Sequence, residues 1–180
     1  MINDIIKTLR HAKACHEAWW FMFDESQAHI LNFRRKYISF FETVKPALYT
    51  TFVIKLSSIF DEDNRSISLR TLMKEIKKSA DNTNEIFQAK SIDFDDLWKR
   101  GRKLFEYRNK VIAHRNRNIS TKNFAKETGF KYSDLKAILD DALMFLDEVL
   151  LFIGRREFSR LNVTSDFTRL IKDIDCNEIL

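Results

Sequence analysis

From Phe94 to His114 the chain reads FDDLWKRGRKLFEYRNKVIAH, and the rest of the sequence is best read outward from this stretch. Leu97, Gly101, Leu104 and Val111 recur at spacings of four, three and seven, the repeat of one face of an α-helix. Asp93, with Asp96 three residues later, puts negative charge at the positive end of that helix, so the expected element runs from about Phe94 to His114. The position that completes the apolar line is Arg108. A guanidinium is permanently charged, and burying it unpaired costs several kcal/mol. Arg108 must therefore meet a carboxylate of its own chain, polar groups of a second subunit, or a substrate anion in a cleft.

Charge along the chain points to the same place. Between Trp98 and Arg117 there are eight basic residues, among them Arg102, Lys103, Lys110, Arg115 and Arg117, against one acidic residue, Glu106, a local charge of +7. The remainder carries 23 basic and 25 acidic residues, or −2, so the whole positive excess of the protein sits in this segment. A surface meant for phosphates has this form, and so does a solvated helix face.

Outward from the segment, 180 residues with 44% hydrophobic content suffice for one sizeable core. Only three Gly and one Pro leave few tight turns, which favours long helices. The first is expected to open at Asn3 or Asp4, to bury Ile5, Ile6, Leu9, Ala12 and Trp19 or Trp20, and to end near Asp24 to Ser26. The second runs from about Gln27 to Phe60 through Ile30, Phe33, Tyr37, Phe41, Val44, Leu48, Phe52, Leu56 and Ile59; Pro46 either kinks it or starts a separate helix.

Asp61 to Ser66 reads as a loop, and Ser68 as the cap of a short helix carrying Leu69, Leu72, Met73 and Ile76, with another break at Ser79 to Thr83. A last helix starts at Ser133 and presents Leu135, Ile138, Leu139, Ala142, Leu146, Val149, Leu150 and Ile153 on one face. Trp19, Trp20 and the 16 Phe fall on such stripes and read as core, not as platforms for stacked bases. The expected fold is all-α: an antiparallel up-and-down bundle of four core helices with short accessory helices. One domain spans 1–180, its core about 1–155 and residues 156–180 a C-terminal extension.

Several function classes find no support. No apolar run is long enough to cross a membrane, and the start lacks a secretory leader, so the expectation is a cytoplasmic protein. Cys15 and Cys176 form no CxxC pair. His11 and Cys15 share a helical face beside His16, but two ligands do not make a zinc site, and Asp61-Glu62-Asp63 lacks the glycine and ligand spacing of a calcium loop. No metal or other cofactor is expected.

The chemistry that remains rests on His114, six residues beyond Arg108. Histidine moves a proton near neutral pH, and arginine stabilises charge developing on a phosphoryl oxygen. Together they suit RNA strand cleavage, in which a base takes the 2′-hydroxyl proton and an acid protonates the leaving 5′-oxygen. One histidine of this kind per chain is too few for both roles, whereas a two-fold dimer brings two to one cleft.

The run Arg108-Asn109-Lys110-Val111-Ile112-Ala113-His114, RNKVIAH, resembles the HEPN signature: an arginine, a polar residue next to it, and a histidine after four to six intervening positions. RNKVIAHRN, and FDEDNRSISLRTL from Phe60 to Leu72, resemble the AbiU2-like branch of that superfamily over residues 1 to 155. The resemblance implies a dimerising helical bundle with a composite cleft, and metal-independent endoribonuclease activity within phage defence or toxin and antitoxin systems. An antitoxin or other regulatory protein would then be a partner beside RNA. It implies Arg108 and His114 as the catalytic pair, with Asn109 orienting the phosphate, and family position hints that Asp61 and Arg65 support the cleft. Lys110, Arg115, Arg117, Arg102 and Lys103 are read from charge as RNA-binding contacts. The alternative is a non-catalytic helical module that binds RNA or a partner protein; a purely structural bundle with Arg108 in an ion pair is the third.

Overall fold

The computed structural model describes residues 1–23, 34–79, 93–113 and 131–154. These form helices α1 (Ile2–Phe23), α2 (Ile38–Ser58), α3 (Leu69–Ser79), α4 (Phe94–Tyr107) and α5 (Tyr132–Phe152), with a π-helical segment π1 (Arg108–Ala113) continuing α4. Among the described residues there is no strand, and the fold is all-α. None of these helices is long and apolar enough to cross a membrane. Ile30, Phe33, His114, Arg115, Arg117, Cys176 and the tail 156–180 lie outside the described residues.

The chain divides into two compact units, Met1–Leu9 with Val53–Phe158, and Arg10–Phe52 with Ser159–Leu180. In the first, the apolar stripes converge: Ile5 and Leu9 of α1, Val53 and Leu56 of α2, Leu69, Leu72, Met73 and Ile76 of α3, Leu97 and Leu104 of α4, and Leu135, Ile138, Leu139, Ala142, Leu146, Val149 and Leu150 of α5 are buried. Helices α4 and α5 run antiparallel, because Phe94 meets Phe145 while Arg100, further along α4, reaches back to Asp141. Phe145, completely buried, completes the α5 stripe where the sequence reading had left a gap. Ile153 is exposed instead of buried, since α5 has ended by then and Gly154 turns the chain with φ of 71°.

In the second unit Ala12, Cys15, His16, Ala18, Phe21, Met22, Phe41 and Phe52 are buried. The His16 ring meets Phe52 edge-on at 5.1 Å. Trp19 packs on Tyr49, whereas Trp20 is 51% exposed, so of the two tryptophans offered to the core only the first faces inward. Phe40, at 56%, is likewise a surface residue.

Helix boundaries differ from expectation at several places: a turn at Tyr37 interrupts the expected helix from Gln27 to Phe60, so that α2 starts at Ile38 and ends at Ser58, and α5 starts at Tyr132, one residue ahead of Ser133. α1 starts at Ile2, ahead of Asn3 and Asp4, and the Asp4 carboxylate holds the terminal ammonium at 3.0 Å from within the first turn. α2 continues through Pro46 rather than restarting there; the proline is exposed, so the carbonyl that loses its intrahelical donor has solvent at hand.

The Ser68 and Asp93 caps are formed. Ser68 Oγ accepts from the Thr71 amide at 3.3 Å, and Asp93 Oδ1 accepts from the Asp95 and Asp96 amides at 2.9 and 3.2 Å. The Leu69 amide donates to the Ile59 carbonyl at 2.9 Å, closing the loop between α2 and α3.

Candidate functional site

α4 is seated closely against the end of α2. A Cβ at position 101 would fall inside the Phe60 ring, so Gly101 is what lets the two elements approach this near. Trp98 packs beside Phe60, and Arg70 from α3 lies over the Trp98 ring at 5.9 Å. On the side toward α5, Arg100 donates to Asp141 and to Asp96, each at 2.7 Å. Partial burial works against the Arg100 charge, but the hydrogen bonds it donates to Asp141 and Asp96 outweigh it and raise the guanidinium pKa above its ordinary value.

At Arg108 the α-helix gives way to π1. The Arg108 amide still donates to the carbonyls of Leu104 and Phe105, after which each hydrogen-bonded turn closes one residue later than in an α-helix. The expected straight α-helix to His114 therefore ends at Tyr107, and the signature begins on its first widened residue. Such π-segments are rare and are frequent at functional sites.

The Arg108 side chain is half-buried. Its Nη1 donates to Asn109 Oδ1 at 2.8 Å, and its guanidinium carbon lies 5.1 Å from the centre of the Phe105 ring. Among the described residues no carboxylate pairs with it. An amide oxygen and an aromatic face orient a guanidinium without cancelling its charge, so neither of these two contacts neutralises Arg108.

The other basic candidates divide by what they touch. Arg102, on the same ring as Arg108 at 5.3 Å, is ion-paired with Glu62 at 3.1 Å. Lys103 and Lys110 are exposed, and with Lys99 they line the outer face of α4 and π1. Asp61 Oδ1 accepts from the Asp63 amide at 3.0 Å and shapes the loop. Arg65 pairs with Asp63 at 2.7 Å. The Arg65 side chain, and then its backbone amide, hold the Asp63 carboxyl below the usual carboxylate range. Among the described residues no group of three or more His, Cys, Asp or Glu is placed to hold a metal ion. The π-segment and the Phe105 contact were missed in the sequence, although Phe105 stands three residues from both arginines, a helical neighbour of each.

No curated protein matches the chain, and no solved structure does. A family model does: AbiU2, of the HEPN domains, matches residues 5–174. That match contains all of the elements above that bear on Arg108 and extends beyond residue 155 into the tail. Covering nearly the whole sequence, it places the chain in the AbiU2 family of HEPN domains.

Proposed function

We propose that this HEPN domain is a metal-independent endoribonuclease whose catalytic pair is Arg108 and His114. The observation that carries the reading is the state of Arg108: oriented by Asn109 and Phe105, half-buried, and paired with no carboxylate among the described residues. An arginine kept for structure is neutralised by its own chain, whereas one kept for phosphate is aimed and left charged.

In the proposed reaction His114 of one protomer takes the proton of the 2′-hydroxyl, and the freed oxygen attacks the adjacent phosphorus. The bond from phosphorus to the 5′-oxygen breaks as His114 of a second protomer protonates that oxygen. The products are a 2′,3′-cyclic phosphate and a 5′-hydroxyl. Arg108 stabilises the charge that gathers on the non-bridging oxygens. A two-fold homodimer of the single domain supplies both histidines, with Lys110, Arg115, Arg117, Lys103 and Arg102 positioning the RNA backbone, and Asp61 and Arg65 bracing the cleft edge. A toxin or abortive-infection role, restrained by an antitoxin or another regulatory protein, fits such an activity in the cytoplasm.

The second reading, a module that binds RNA or a partner protein without cleaving, draws on the same unneutralised arginine. A mixed RNA pool incubated in EDTA with the wild type, Arg108→Ala and His114→Ala separates the two. Cleavage by the wild type alone, leaving cyclic phosphate ends, is the expected result. Silence in all three, with RNA still bound, selects the binding module.

A further inference from the structure

Resting on the ribonuclease reading, the geometry points to Phe105 as a positioning residue for Arg108: its ring carries the Arg108 guanidinium at the entrance to π1. Phe105 is the last turn of regular α-helix before the widening, and Arg108 follows it by three residues, so the side chain lies back over the ring at 5.1 Å. Widening of the helix at 108 removes the tight spacing that would otherwise fix the following side chains, and a flat aromatic surface supplies a different restraint at that point.

The same ring faces a second guanidinium, Arg102, at 5.3 Å. Arg102 is tied to Glu62, on the loop after α2, at 3.1 Å. The ring therefore meets both an anchored ion pair and Arg108, which pairs with no carboxylate among the described residues. Asn109 Oδ1 completes the restraint by accepting from Nη1 at 2.8 Å, which fixes the plane of the guanidinium. Two contacts on Arg108, the Phe105 ring and Asn109 Oδ1, set its direction, and neither is a carboxylate.

The test compares full-length wild type with Phe105→Leu and Phe105→Tyr. Leucine keeps bulk and helix preference but has no π face; tyrosine keeps the face. Two measurements are made: cleavage kinetics on a synthetic RNA oligonucleotide, and the Arg108 Nε–Hε resonance, assigned by its loss in Arg108→Lys. For Phe105→Leu, kcat is expected to fall roughly three- to thirty-fold with KM little changed, and the Arg108 resonance to lose its ring-current shift. Phe105→Tyr restores both. A leucine variant with wild-type kcat, a tyrosine variant as impaired as leucine, or an Arg108 resonance indifferent to the ring overturns the proposal. If the wild type cleaves nothing, the ribonuclease reading fails by itself; the Arg108 resonance and RNA affinity then decide whether Phe105 positions Arg108 for binding. Affinity unchanged in Phe105→Leu rejects it there too.

Discussion

The Phe60 ring occupies the space that a side chain at Gly101 would need. α4 consequently rests with its backbone against the residues just after α2, and π1, which continues α4 from Arg108, inherits that placement. Substituting alanine is expected to destabilise the protein by about 1–3 kcal/mol through overpacking, partly offset by roughly 1 kcal/mol of improved helix preference. Urea unfolding of Gly101→Ala measures this. Adding Phe60→Leu should cost less on the alanine background than on the wild type, because the smaller side chain relieves the overlap.

Arg100 bridges α4 and α5 through Asp141 with both side chains about one-third exposed. A double-mutant cycle on Arg100→Gln and Asp141→Asn should give a coupling of about 0.5–1 kcal/mol, above the median for a surface pair because Asp96 already orients the guanidinium. Zero coupling would mean that the bridge is ornamental to α4 and α5 packing.

The loop after α2 has a titratable element of known sign. Asp63 is held below the ordinary carboxylate range by Arg65, so whatever the contact adds to loop order is fully present above the unfolded carboxyl pKa and is lost as pH falls through the lowered folded value. Carboxyl NMR should find Asp63 titrating below a model aspartate, and Arg65→Gln should return it upward. An Asp63 midpoint unmoved by that substitution would contradict the pairing.

Arg108 separates charge from geometry. Arg108→Lys keeps the positive charge but loses the planar fork that Asn109 holds, and cleavage is expected to fall about 10²–10³-fold, nearly as far as in Arg108→Ala. Both variants should stay within about 0.5 kcal/mol of wild-type stability, since no ion pair among the described residues is broken. Thermal unfolding beside the kinetics checks both halves.

Much of this fold is legible in the sequence because helical burial repeats with a fixed period. Leu69, Leu72, Met73 and Ile76 are all buried as that period requires, and the Ser68 and Asp93 caps stand where short polar side chains precede apolar runs. Trp20 and Ile153 are exposed because a stripe tells which residues share a face, but not how far around the helix, or how near its end, the neighbouring elements reach. Phe145 stands three residues after Ala142 and four before Val149, so its burial follows from the same period.

At the site the anomaly was legible and its surroundings were not. Arg108 announces itself as a charge on an apolar line, a statement about sequence positions alone. Its partners, Phe105 and Asn109, are ordinary residues whose importance depends on rotamers and on the widened turn, neither of which leaves a mark in composition. The contacts that orient Arg108 come from one residue ahead and three behind, and neither is a carboxylate.

The widened turn at Arg108–Ala113 also bears on how such a motif can vary over time. A regular α-helix punishes an insertion by rotating every later side chain away from its place. A π-segment is a helix that has already taken up an extra residue, so one more or one fewer position can be absorbed there by tightening or loosening the coil. A codon gained or lost within the segment would then leave the helix before it in place.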